Sequence, residues 1–388
     1  MLRYDPYSLS TQENPYSIYK VLRDEYPVYF VEKRNVWLMT RYRDCMAAVQ
    51  DHAAWSSAQG NVLDDDQRRT GNTLGTTDPP RHEELRRLVT KGFTPARVAQ
   101  LEDMIRSMSR DLINTFISEG QCEFTSQFAG ALTAGVTGHL LGVPSGDHAQ
   151  LRDWVDKVVE HTDGDAPPAD RSEYVGKLFL YVLDLVQQRR AKPQDDLISD
   201  LISAEDAGAR LTDQEIAIIC PTLLIAAFAS TNLTLGNALV ALYQHPEQRA
   251  EVHANPKLIS NMLEEVVRWD SAIQGVARHS TRNVEIEDIV IPKGAQTVLV
   301  FGSANRDERQ FPDPDRFDIH RKVGRHLGFG WGIHVCLGAP LARLEMRVAF
   351  EELLPRLGNY EVDLAHAHHV HSPIVRGYQV LPVSFSPA

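Results

Sequence analysis

Phe329-Gly330-Trp331-Gly332-Ile333-His334-Val335-Cys336-Leu337-Gly338 leads directly into Ala339-Pro340-Leu341-Ala342-Arg343-Leu344-Glu345. The glycines allow tight or left-handed turns and a close approach of backbone to a flat partner. Pro340 suits the first turn of a helix, where its missing N–H costs nothing. Cys336 therefore stands just before a helix N-terminus. Free N–H groups and the helix dipole there favour thiolate over thiol. The other cysteines, Cys45, Cys122 and Cys220, are far apart and none forms a C-x-x-C pair. They read as buried apolar residues, and neither a disulfide framework nor a structural zinc site is expected.

The loop resembles the haem-ligand loop of the cytochrome P450 family, F-x-x-G-x-x-x-C-x-G, with H-x-C as in many bacterial members. Every defined position matches. The resemblance implies a mainly α protein with a small β portion, one large helical domain over residues 1–388. It implies haem b (iron protoporphyrin IX) with Cys336 as the thiolate ligand to iron. Electron donation from a thiolate favours O–O cleavage. It further implies that Phe329, Gly330, Leu337, Gly338 and Ala342 shape the haem seat and that His334 binds a haem propionate.

Other segments keep the family's order and spacing. Glu265-Val266-Val267-Arg268 puts an acid and a base on neighbouring turns of one helix face. It lies 71 residues before Cys336, where the family has its E-x-x-R. The resemblance makes Arg316, in Pro314-Asp315-Arg316-Phe317, the third member of that structural lock. Asp78-Pro79-Pro80-Arg81-His82-Glu83-Glu84-Leu85-Arg86 matches D-P-P-x-H-x-x-x-R, with His82 and Arg86 on one helix face. Those two and Arg278 are implied propionate partners, since His and Arg suit anions through charge-assisted hydrogen bonds. Asn14-Pro15-Tyr16 is compatible with the family and less specific.

One segment departs. Aligned through Gly236-Asn237-Ala238-Leu239, the sequence Ala226-Ala227-Phe228-Ala229-Ser230-Thr231 faces the family's A-G-x-(D/E)-T. Ala229 replaces the acid and cannot carry a proton. Ser230 keeps a hydroxyl. Dioxygen activation at haem consumes two protons, and groups that hold water relay them. Ser230 and Thr231 are therefore the expected catalytic pair. Three explanations stay open: these hydroxyls with water suffice, a polar group on the substrate completes the relay, or the reaction is radical coupling. By the same resemblance the substrate meets Ala226, Ala229, Ile273, Val276, Ile374 and Val375, which suggests an apolar ligand.

The bulk numbers agree with a folded soluble protein. The 388 residues are 43% hydrophobic and 24% charged, and the net charge of −12 argues against a general nucleic-acid or anionic-membrane binder. The N-terminus lacks a basic-then-apolar signal pattern, and the apolar run from Ile216 to Ala229 is short for a membrane span. A cytoplasmic location is expected. No reductase domain or nicotinamide fingerprint is found, so a separate ferredoxin- or flavodoxin-type donor with its own reductase is expected. Arg86, Arg87, Lys91, Arg97, Arg343 and Arg347 are candidates for its docking patch.

Helical periodicity dominates. Helices are expected over Gln12 to Glu25, Asp44 to Asp51, Arg81 to Thr90, Val98 to Glu119, Gln127 to Leu141, Ser145 to His161, Arg171 to Lys192 and Asp196 to Glu205. Thr212-Asp213-Gln214-Glu215 is a capping box opening a long helix to about Gln244, kinked or broken at Pro221. Helices follow over Asn255 to Trp269 and Pro340 to Leu354. Ser56 to Gly75 and Thr162 to Ala169 read as loops. Strands are expected in a hairpin over Val28 to Thr40 and around His279 to Glu287, Gln296 to Phe301, Tyr360 to Val362 and Gln379 to Phe385. His366-Ala367-His368-His369-Val370-His371 reads as a solvated turn rather than a metal site.

The competing reactions are hydroxylation of an apolar or aromatic small molecule with dioxygen, oxidative coupling or ring closure in secondary metabolism, and ligand binding by a haem protein without turnover.

Overall fold

The capping box does open a long helix. Thr212 Oγ1 accepts the Glu215 N–H at 3.2 Å, and the Glu215 carboxylate accepts the Thr212 N–H at 2.8 Å. Two orphan donors are satisfied at once. The helix runs Asp213–Gln244. It continues unbroken through the buried Pro221. This is a computed structural model, and it describes residues 4–63, 69–159, 171–206 and 208–386. The expected loop at Thr162 to Ala169 lies outside the described residues.

The central helix is apolar almost all round, as a core helix must be. Helices Gly130–Leu141, His148–Val159, Arg171–Ala191 and Leu197–Ser203 pack against it. It is also long and apolar enough to cross a membrane by length and composition, but in this fold those neighbours account for its apolar surface. The helix after the cysteine, Ala339–Leu357, lies between Glu102–Phe116 and Ile259–Trp269.

The strand-rich portion is a five-stranded sheet ordered Val28–Val31, Val36–Met39, Gln296–Leu299, Val276–Ser280 and Trp55–Ser56. The first two form the expected hairpin, and Asn35 takes the left-handed position that turns it, at φ 51. Three smaller differences have local causes. The N-terminal helix divides into Leu9–Glu13 and Tyr16–Glu25, because Pro15 restricts the residue before it. A helix at Pro246–Ala254 lies where none was expected. Its single buried residue, Val252, leaves no apolar period to read. His368–His369 pairs with Tyr378–Val380 as a short strand instead of forming a turn.

Candidate active site

The cysteine loop is folded by its glycines and by backbone bonds. Gly330 and Gly332 have φ of +66 and +71. A Cβ at Gly332 would sit 2.3 Å from the Val49 carbonyl oxygen, so only glycine brings the loop this close to the neighbouring helix. The Cys336 N–H donates to Phe329 O at 2.9 Å and the Gly330 N–H to Leu327 O at 2.8 Å. The Cys336 thiol is accessible, yet it lies so deep in a recess that loss of bulk water acts on it most strongly and raises its pKa. The amides of Gly338 and Ala339 and the guanidinium groups of Arg86 and Arg343 act in the opposite direction. Those are the groups a thiolate needs. Arg343 also stacks on the Phe329 ring, 4.4 Å from its centroid.

One side of the recess gathers basic groups from three elements. His82 comes from helix Arg81–Thr90, Arg278 from strand Val276–Ser280 and His334 from the cysteine loop. His82 is 2% exposed and neither ring nitrogen has a partner among the described residues. Its ring lies 4.4 Å from that of His334, whose Nε2 is 3.2 Å from Ser57 Oγ. The Arg278 guanidinium is buried and donates to the Ala277 carbonyl at 2.7 Å. Burial pushes Arg278 down to about 10. Burial, reinforced by Arg278 and His82, pushes His334 down to about 3. Arg86, half-buried on the same helix as His82, points its charge toward Cys336. Buried polar groups are nearly always hydrogen-bonded, and buried cations are paired. Asp78 is the acid that acts on Arg278, and the donors left over on His82 and Arg278 fit the carboxylates of a dicarboxylate macrocycle seated on Cys336.

The remaining candidate residues lie on the central helix and in the segments around Ile273 and Ile374. The central helix is buried without interruption from Thr231 to Ala241, yet Ala226 is exposed and Ala227, Ala229 and Ser230 are half-buried. Ser230 Oγ donates to Ala226 O at 2.8 Å. Thr231 is 4% exposed and turned into the helix packing. The expected catalytic pair thus diverges, with Ser230 on the open face and Thr231 behind it. Ile273 bridges to Val375, and the Gln274 N–H donates to Ile374 O at 2.8 Å. Ile273, Ile374 and Val375 form one apolar cluster with Leu233, Ala272 and Val370. Val276 stands apart from it and packs against the sheet cluster.

Behind the recess, Glu265 and Arg268 are fully buried and joined by two bonds of 2.8 Å. Arg268 also donates to the carbonyls of Asn305 and Pro314. Arg316 does not complete this network. Arg321 does, with Nε 3.0 Å from Glu265 Oε1. The reason is local. Pro314 and Phe317 turn inward, so Arg316 between them is exposed and offers only its carbonyl, which accepts from Arg321 at 3.0 Å.

The sequence profile described as Cytochrome P450 matches residues 169–377. The chain is 39% identical over 387 residues to cytochrome P450 123 of Mycobacterium tuberculosis, covering 98% of this chain and 96% of that one. The chain belongs to the cytochrome P450 family. It is 36% identical over 386 residues to the cyclomarin C epoxidase of Salinispora arenicola, covering 98% of each. Among solved structures, a cytochrome P450 of Chondromyces apiculatus matches with a TM-score of 0.91 at 35% identity, covering 99% of this chain and 98% of that one. Relatives of this kind named as hydroxylases and epoxidases are monooxygenases, and so is this P450.

Two features of this P450 were not legible beforehand. The basic candidates for a docking patch are mostly partnered within the chain. Arg87 pairs with Asp206 at 2.7 Å, Arg97 with Asp200 at 2.6 Å, Arg343 with Glu264 at 2.5 Å and Arg347 with Glu102 at 2.8 Å. Lys91 donates to the Glu205 carbonyl. The second is Glu345, nine positions after the cysteine. It is 3% exposed, its Oε1 has no partner, and burial raises its pKa to about 8. The other acids of that helix, Glu351 and Glu352, are half-buried and paired with Arg106.

Proposed function

We propose that this P450 holds haem b through the Cys336 thiolate, with His82, Arg86, Arg278 and His334 on the propionates. We also propose that it hydroxylates an apolar or aromatic small molecule with electrons from a separate ferredoxin- or flavodoxin-type donor. The observation that carries the reading is the His82–Arg278–His334 cluster beside the cysteine loop, in which both ring nitrogens of buried His82 lack a partner among the described residues and the buried Arg278 guanidinium donates to the adjacent Ala277 carbonyl. Bound haem supplies the activation of dioxygen. The chain supplies the surroundings. Amides of Gly338 and Ala339 hold negative charge on the sulfur. The glycine turns keep the loop flat, and the apolar cluster of Ile273, Ile374 and Val375 excludes water from the substrate side.

Proton handling falls to Ser230. Its own proton is directed to the Ala226 carbonyl, so its lone pairs are free to accept from water or from a hydroxyl on the substrate. Ala229 offers only a methyl group where an acid would stand. That replacement favours a second reading, oxidative coupling or ring closure, in which substrate atoms are removed and no oxygen is inserted. Relatives named for oxygen insertion, which support the first reading, include the vitamin D(3) 25-hydroxylase of Pseudonocardia autotrophica and the mycinamicin IV hydroxylase/epoxidase of Micromonospora griseorubida. The test is turnover under isotopically labelled dioxygen of a ligand found by its shift of the haem spectrum. Label in the product supports hydroxylation. A product two hydrogens lighter and free of label establishes coupling in its place.

A further inference from the structure

Asn14-Pro15-Tyr16 has no part in the chemistry above, yet Tyr16 reaches the substrate side through a polar network. The Tyr16 hydroxyl donates to Asp270 Oδ1 at 2.5 Å. Arg376 Nε donates to the same oxygen at 2.9 Å. The other end of Arg376 donates to the carbonyls of Gln12, at 2.5 Å, and Glu13, at 2.9 Å. Asn237, on the central helix, donates to the carbonyls of Asp270, at 3.0 Å, and Arg376, at 3.3 Å. Asp270 and Arg376 are both buried, 8% and 9% exposed. The buried Arg306 guanidinium stacks on Tyr16, 3.5 Å from its ring centroid.

The network ends on a short stretch of chain. Arg376 directly follows Ile374 and Val375, and its N–H donates to the Ala272 carbonyl at 2.8 Å. The next residue, Gly377, lies so close to the central helix that a Cβ there would be 2.6 Å from Leu233 Cβ. The turn bearing Ile374 and Val375 is thus held by the N-terminal helices, the central helix and the segment after Trp269. Ion pairs exposed to water rarely fix geometry. This one is buried, with its hydrogen-bond capacity met from three sides, and such networks rigidify what they join.

We propose that Tyr16, Asp270 and Arg376 are positioning residues that set where the Ile374–Val375 wall stands, and so determine which bulky ligands the pocket accepts. The proposal rests on reading that turn as pocket wall. It gives the N-terminal helix Tyr16–Glu25 a role in specificity although none of its residues needs to touch the ligand.

The test uses the haem-loaded enzyme and two probes that bind through an imidazole nitrogen, imidazole and phenylimidazole. Imidazole is too small to reach the wall, whereas phenylimidazole carries a ring that must fit beside it. Tyr16→Phe removes one hydroxyl and keeps the ring under Arg306. Its ratio of phenylimidazole to imidazole Kd is expected to move by about threefold or more from that of the parent. The imidazole Kd and the ferrous carbon monoxide spectrum are expected to stay unchanged. Arg376→Lys keeps the charge but not the fork, and its ratio is expected to move in the same direction. Val375→Ala reports on the wall itself. A shifted ratio in Val375→Ala with an unshifted one in Tyr16→Phe overturns the positioning role alone. An unshifted ratio in Val375→Ala overturns the wall reading, and the positioning role with it. Parallel shifts of both probes in Tyr16→Phe mean a general loosening and also overturn it.

Discussion

Arg278 is 5% exposed, and among the described residues its guanidinium donates only to the Ala277 carbonyl next to it. A buried guanidinium so poorly compensated costs stability until an anion reaches it. Arg278→Met therefore has opposite effects on the two forms of the enzyme. The haem-extracted protein keeps or gains thermal stability, while haem affinity falls by about 2 kcal/mol, the value of a charge-assisted bond. Melting curves of both forms and haem transfer to apomyoglobin measure this. Glu345 is the second such residue. Burial raises its carboxyl from the usual 4.5 to about 8. The folded chain then holds a proton that the unfolded chain releases above about 4.5. Stability from this group is full below that pH and is lost as pH rises toward 8, by about 1.4 kcal/mol per pH unit inside the window. Glu345→Gln cannot release a proton, so its melting temperature is expected to overtake the parent's between pH 6 and 8. Equal pH profiles for the two proteins would contradict this. His82 and Arg278 were legible because each stands in a recognisable string. Glu345 was not, because helical periodicity marks which face a residue occupies and says nothing of whether that face is covered.

Among elements, the network behind the cysteine shows how far a motif reaches. Glu265 and Arg268 are three apart on one helix, so their pairing is local and was readable. The third partner comes from a loop, and a loop has no period to say which arginine points inward. Arg321 rather than Arg316 meets Glu265, because Phe317 takes the inward position next to Arg316. Arg321→Leu is expected to destabilise by about 3 kcal/mol, since it leaves buried Glu265 charge undercompensated. Arg316→Leu, at an exposed position, is expected to stay within about 0.5 kcal/mol. Urea unfolding of the two variants decides between them, and reversed values would restore the original assignment. The long central helix was readable from its capping box and its apolar run. Its accessible positions at Ala226 and Ser230 fall on residues that the family resemblance marks as substrate and catalytic positions, whereas helical periodicity alone does not separate small residues that face a core from small residues that face solvent.

Across the whole molecule, charge is distributed differently from what composition suggests. The net charge of −12 is a sum, and around the cysteine it is realised as pairs such as Arg347–Glu102 and Arg343–Glu264. Partnered charges present a weak field to an approaching donor. Donor-supported turnover is therefore expected to change by less than about threefold when ionic strength rises from about 0.05 to 0.5 M. A fall of about tenfold or more would show that free cations govern docking after all. The sequence by itself determined the cysteine loop, the acid–base pair on its helix, the D-P-P-x-H segment and the family they belong to. Each is a short string whose geometry follows from backbone rules within a few residues. Only the tertiary structure decided that Arg321 closes the lock, that Ser230 is half-buried while Thr231 is buried, that Glu345 is buried and that Tyr16 is linked through Asp270 to Arg376. Each of these depends on which surfaces meet across elements far apart in the chain, and no local pattern records that.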